Sequence, residues 1–145
     1  VVAITGVDQV TPFVSEIEGK TFGTKSVHIV PAQDKGLYLF TEENHSWFFI
    51  DFEGNGYRIA VIHNIPGHAP LAVAASRSRE ELYVLSGVGM YPLYRVRSDG
   101  MAIEIANQIW GDPWGAVVSP DGRWLYLAES GAIDKFDLEK LIPNP

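Results

Sequence analysis

No cysteine occurs in the 145 residues, which excludes disulfides, thiol nucleophiles and cysteine-held metal clusters and leaves the redox compartment open. Cationic side chains are scarce, 11 Lys and Arg against 18 Asp and Glu, for a formal net charge of −7. With no basic stripe to neutralise phosphates, nucleic-acid partners are not expected. Long apolar runs are missing too, so no membrane-spanning segment is expected, and no leader-like stretch opens the sequence at Val1. Neither a G-x-x-x-x-G-K-[ST] phosphate loop nor a G-x-S-x-G elbow is present. Gly87-Val88-Gly89-Met90-Tyr91-Pro92 reads as a hairpin loop rather than a dinucleotide fingerprint, because no helix follows it. Helical pattern is confined to Asp137-Leu138-Glu139-Lys140-Leu141, which Pro143 ends.

What the chain does have is a repeat. A Leu-Tyr pair returns at Leu37-Tyr38, Leu82-Tyr83 and Leu125-Tyr126, 45 and then 43 residues apart, while Gly23, Gly67 and Gly111 recur at intervals of 44. Two markers on one period in the forties, built from short apolar runs, indicate β-propeller blades. Composition agrees: 46% hydrophobic residues with Gly 14 and Pro 9 suits a turn-rich all-β protein. The first copy reads as strands at 26–30, 36–40, 47–52 and 57–62, and the second as strands at 71–75, 82–85, 93–96 and 102–106. The third has strands at 115–118, 124–128 and 133–138 and no fourth. Gly54-Asn55-Gly56 and Asp99-Gly100 sit where third strands must reverse into fourth ones, and Pro120-Asp121-Gly122 between a first and a second.

Leu37-Tyr38-Leu39-Phe40 and Leu125-Tyr126-Leu127-Ala128 are apolar at every position. Strands of that kind are expected to be covered on both faces, as blades stacked around an axis are. A β-sandwich with buried strands also accommodates such runs, but it has no need of the shared phase. The expected architecture is therefore all-β, with blades of four antiparallel strands at 25–66 and 67–110 and a partial blade at 111–145. Residues 1–24 form a partial blade or closing strands, with strands at 1–4 and 13–17 around a loop at 8–12. Closed propellers usually have about four to eight blades. About three blades are an incomplete ring, expected to be a fragment of a longer propeller or to be completed by a second copy or a further chain.

The stretch Gly111-Asp112-Pro113-Trp114-Gly115 through Ser119-Pro120-Asp121-Gly122-Arg123-Trp124-Leu125-Tyr126-Leu127 resembles the repeat of YVTN, NHL and SMP-30 gluconolactonase type propellers, with its G-x-P…SPDG-x-x-LY-V element. A degenerate version runs from Gly67-His68-Ala69-Pro70 to Leu82-Tyr83-Val84. The resemblance implies blade geometry and a choice of activities, among them sugar-lactone hydrolysis and plain binding, and it slightly favours a secreted or periplasmic setting. It also implies that ligands meet the loops entering the first strands and those joining second to third strands, at one mouth of the channel. Those loops supply Tyr91, Trp110, Trp114, His68 and Asp112 as ligand-binding candidates, aromatic for stacking on a glycan or docking a protein partner. They also supply Glu42, Asn44, His68, Asp112 and Glu129 as ligands for a divalent cation, calcium through the oxygens or zinc through His68. His28 reads as a histidine lining the channel or satisfied in the core, and Asp121 as a turn residue rather than a ligand. Trp47, Phe48, Phe49, Trp124 and Tyr126 read as filler between blades. Binding without a resident cofactor is the favoured expectation, and metal-assisted hydrolysis or lyase chemistry the alternative.

Overall fold

Turn residues and β-prone runs divide the described residues into five antiparallel sheets. The computed structural model describes residues 2–6, 9–12, 16–21, 27–32, 35–42, 45–65, 70–76, 78–86, 91–109, 111 and 113–141. Two hairpins come first. Strand β1 (Val2–Gly6) pairs with β2 (Gln9–Pro12), and β3 (Glu16–Ile17) pairs with β4 (Lys20–Thr21). The expected strand at 1–4 is β1, whereas the presumed loop at 8–12 contains a strand, β2; of the expected strand at 13–17 only 16–17 lies within the described residues, as β3. Val10 and Thr11 are strand formers, and Pro12 ends the strand, where its missing N–H does least harm. Glu18 and Gly19 both hold positive φ, 53° and 72°. That pair turns Ile17 back onto Lys20 in the manner of a tight two-residue hairpin.

The first full blade runs β5 (Val27–Pro31), β6 (Gly36–Thr41), β7 (Ser46–Asp51) and β8 (Gly56–Val61), hydrogen-bonded in that order. The second repeats the pattern with β9 (Pro70–Ser76), β10 (Glu81–Ser86), β11 (Tyr91–Val96) and β12 (Ala102–Ile109). The third has β13 (Gly115–Val118), β14 (Trp124–Glu129) and β15 (Ala132–Asp137). A single turn of helix, α1 (Leu138–Leu141), follows. Its start is fixed by Asp137, whose carboxylate accepts the Glu139 N–H at 3.2 Å, and by Leu138, whose N–H donates to the Arg123 carbonyl at 2.8 Å. The first strands of the three blades lie side by side, β9 against β5 on one flank and β13 on the other. Sheets radiating from adjacent first strands are propeller blades.

Carboxylates close the exposed turns. Asp51, Asp99 and Asp121 each accept the backbone N–H two residues on, from Glu53, Met101 and Arg123, at 2.9 to 3.0 Å. Asp121 therefore does the structural work expected of it. Gly100 has a steric reason as well. With φ at 84°, a Cβ there would lie 2.2 Å from the Val61 carbonyl oxygen of the neighbouring blade.

Packing follows strand register. Between the first two blades Phe40 and Trp47 meet Val73, Leu82, Val84, Tyr94 and Val96. Between the second and third, Ala74, Tyr83 and Leu85 meet Val118, Leu125, Leu127 and Leu138. Each fully buried Leu or Val contributes roughly 1.5–3 kcal/mol, so these two interfaces carry the described core. On the far side of the first blade, Ile17 from the second hairpin covers Leu39, Phe48 and Ile50. Trp47 thus fills inter-blade space as expected, whereas Phe48 lies on the far face against Ile17. Trp124 does not fill such space; it lies beneath cations, with Lys135 Nζ 3.8 Å and the Arg123 guanidinium 4.8 Å from its ring centre.

Candidate functional site

Three kinds of chain end meet at one rim of the blades: the starts of first strands, the ends of second strands and the starts of third strands. The pairings of Val27 with Thr41, Thr41 with Ser46, Ser86 with Pro70 and Glu129 with Ala132 place them there. This rim is the mouth expected to carry recognition. In the first blade, His28 near the start of β5 meets Glu42 just past β6, Nε2 to Oε1 at 3.3 Å. Both are largely buried, and the Phe40 ring stands 6.2 Å from His28 and 6.4 Å from His45. Glu42, expected as a metal ligand, is thereby engaged by a histidine that was expected only to line the channel or settle in the core.

In the third blade the Glu129 carboxylate lies against Gly111, where an added Cβ would stand 1.6 Å from Oε2. Gly111 has φ at 118°, so the repeated glycine serves both the backbone and the room this carboxylate needs. Trp114 precedes β13, anchored by its N–H to the Ala128 carbonyl at 2.7 Å, and its side chain is 75% exposed. Tyr91 differs from expectation. It is the first residue of β11, opposite Ile109, and packs half-buried against the core between the second and third blades rather than standing in a loop. Its neighbour Ile109 is buried, and burying the ring there removes more apolar surface from water than a loop position allows. Trp110, His68, Asp112 and Asn44 lie outside the described residues.

Register aligns the blades residue for residue. Tyr38 stands opposite Val30, Tyr83 opposite Ala74, and Tyr126 opposite Val117. In the first two blades these positions look onto the next blade. In the third they look onto an open groove of ≈ 390 Å³ lined by Gly115, Ala116, Val117, Tyr126, Ala128 and Ile133. Val117 is 60% and Ile133 73% exposed. The run at 125–128 was expected to be covered on both faces. Instead Leu125 and Leu127 are buried against the second blade while Ala128 is exposed, since one neighbouring blade covers one face only.

The opposite rim, where first strands turn into second ones, holds a polar network the sequence reading did not single out. Tyr83 Oη donates to Glu81 Oε2 at 2.9 Å, and the Arg95 guanidinium donates to the other oxygen of the same carboxylate. Glu81 and Tyr83 are buried. Burial first, and then the Glu81 charge and hydrogen bond, hold the Tyr83 phenol protonated well above its ordinary range. One signal was available: the residue before this Leu-Tyr pair is Glu81, whereas Gly36 and Trp124 hold that place in the other copies.

Solved structures of similar fold agree with the all-β, blade-built architecture. The chain is 25% identical to a chain of hydrazine synthase from Kuenenia stuttgartiensis, with a TM-score of 0.56 over 87% of this chain and 37% of that one. It is 19% identical to a gluconolactonase from Xanthomonas campestris, with a TM-score of 0.57 over 89% of this chain and 48% of that one. The chain thus spans less than half the length of either structure. No protein-family model and no curated protein matches it. These likenesses are at the level of fold, that of antiparallel propeller blades.

Proposed function

We propose that the chain is a propeller-type binding module that associates with a second copy of itself and recognises a protein or glycan partner at the mouth. The observation that carries this is the bare face of the third blade. Val117, Tyr126 and Ala128 hold the positions that bury a following blade at Ala74, Tyr83 and Leu85. Uncovered apolar area in blade register marks an interface. The first blade offers a matching surface, with Ile29 51% exposed beside Leu39 on the side that Ile17 covers in part. Two such chains meeting head to tail through both surfaces supply about the length of one gluconolactonase-type chain, of which a single copy spans 48%, and such a pair closes with two-fold symmetry. Trp114 then stands at the rim of the shared channel as an aromatic contact.

Light scattering over a concentration series tests the association. A mass rising from 16.0 kDa towards twice that value supports it, and the Val117→Asp, Ile133→Asp double variant is expected to stay monomeric with unchanged circular dichroism. A wild-type chain that remains monomeric at every concentration overturns it. Trp114→Ala is then expected to weaken partner or glycan capture without loss of fold.

A second reading, metal-assisted hydrolysis or lyase chemistry, draws support from the fold-level likeness to the gluconolactonase and from the His28–Glu42 pair at the same mouth. Glu42, Asn44, His68, Asp112 and Glu129 would be its ligands, for calcium through oxygen or zinc through His68. A stoichiometric divalent ion in purified protein supports it; a metal-free protein at full activity of any kind sinks it.

A further inference from the structure

A second cavity opens away from the mouth, between the outer strands of the first blade and two turns of the second. Tyr38, Trp47, Tyr57, Arg58 and Ile59 come from the first blade, and Glu80 and Ser98 from turns of the second. Its volume is ≈ 170 Å³, below the roughly 300 Å³ at which pockets for drug-sized ligands begin, so an occupant must be about one ring in size. The aromatic wall is built tightly, Tyr38 and Trp47 meeting edge to face at 5.4 Å and Phe49 and Tyr57 tilted at 5.6 Å.

Trp47 adds an unexplained feature. Its side chain is wholly buried, yet Nε1–H has no hydrogen-bond partner among the described residues. Buried indole N–H groups ordinarily find an acceptor. Trp47 lines the cavity with its ring while Nε1 itself lies below the accessible surface, so the indole reports on the cavity without offering its N–H to an occupant.

The charges decide what kind of occupant fits. Arg58 and Glu80 share the wall, and among the described residues neither forms an ion pair. An anion placed there is repelled by Glu80, and a cation by Arg58. Glu80 lies close enough to Tyr38 for its charge to add to burial in raising that phenol, which keeps Tyr38 a hydroxyl donor. A neutral, hydroxyl-rich ligand uses the groups that face the cavity: aromatic rings against its C–H face, Arg58 as donor, Glu80 as acceptor, and the Tyr38 and Ser98 hydroxyls as either.

We infer that this inter-blade cavity is a binding site for a single neutral sugar ring. It lies apart from the mouth and shares no lining residue with the bare face of the third blade.

The test uses methyl glucoside, methyl galactoside and methyl mannoside at millimolar concentration, with glucuronate and glucosamine as charged counterparts. The readout is the Trp47 indole N–H resonance, assigned as the one lost in Trp47→Phe. At least one neutral glycoside is expected to shift it saturably, while glucuronate and glucosamine bind more weakly. Arg58→Ala and Glu80→Gln, checked for fold by circular dichroism, are each expected to weaken binding about tenfold. No shift with any neutral glycoside, tighter binding of either charged sugar, or unchanged affinity in both variants overturns the proposal. The Val117→Asp, Ile133→Asp chain is expected to bind the glycoside as the parent does, so failure of self-association leaves this result standing.

Discussion

The second and third blades share a strand register and a Leu-Tyr marker, but one is covered on both faces and the other on one. Leu82, Tyr83, Val84 and Leu85 alternate between two neighbours and are all fully buried. Leu125, Tyr126, Leu127 and Ala128 have the same apolar character, yet only Leu125 and Leu127 meet a blade. The same local sequence therefore carries different energetic weight according to what stacks on it. Blade identity belongs to the pattern, and burial belongs to the neighbour.

Substituting the paired tyrosines breaks this comparison most directly. Tyr83→Ala removes a fully buried ring and is expected to lower unfolding free energy by roughly 3–5 kcal/mol, with the stranded Glu81 oxygen adding to the loss. Tyr126→Ala, at the equivalent place on the half-covered blade, is expected to change stability by less than about 1 kcal/mol in the monomer. Urea unfolding of both variants measures the contrast. Equal losses would mean that the third blade's open face is covered in solution, and a concentration-dependent loss in Tyr126→Ala would identify the second copy as the cover.

The polar network of the second blade sharpens the comparison from a different side. Glu81→Ala leaves the Arg95 guanidinium without its carboxylate and the Tyr83 hydroxyl without an acceptor. Arg95 keeps some access to water, its side chain being 22% exposed, so the expected cost is about 2–4 kcal/mol, at or below the usual range for breaking a buried pair. Gly36 and Trp124 occupy this position in the other blades. Trp124→Ala, which removes only a ring lying beneath Arg123 and Lys135, is expected to cost about 1 kcal/mol by the same assay.

Much of the fold was legible because its causes are local. Aspartate and glycine at 99–100 and 121–122 fix hairpins whatever surrounds them, and alternation or continuity of apolar residues assigns each strand. The first two hairpins were not legible in that way, since Gln9-Val10-Thr11-Pro12 reads as loop until Val2–Gly6 pairs with it. Mouth residues were legible only as a set. Period places Trp114 and Glu129 at the rim, but the approach of His28 to Glu42 depends on a one-residue offset past β6 that no repeat encodes. Tyr91 was misplaced for a related reason: a tyrosine after a glycine-rich loop looks exposed until the third blade's core is known to lie beside it. That the Trp47 N–H has no partner among the described residues carries no sequence signal at all, because it is a property of packing.

The smallest effect expected is one that should not distinguish the blades. Asp51, Asp99 and Asp121 hold their carboxyls below the ordinary aspartate value, chiefly through side-chain hydrogen bonds from Asn55, Arg97 and Ser119 respectively, helped by backbone N–H groups. A folded-state value below the unfolded one, which is about 3.9, means that the unfolded chain binds more protons between the two. Their stabilisation is thus complete above that unfolded value and is lost as pH falls through the folded values. All three are on exposed turns, so each contribution is small. Asp51→Asn, Asp99→Asn and Asp121→Asn are each expected to flatten slightly the acid limb of stability against pH, measured as urea midpoints between pH 3 and pH 7, and to do so alike in the three blades. A larger flattening for Asp121→Asn than for Asp99→Asn would show that the third blade's turn senses its uncovered face, and that stacking reaches the local chemistry from which the blades are built.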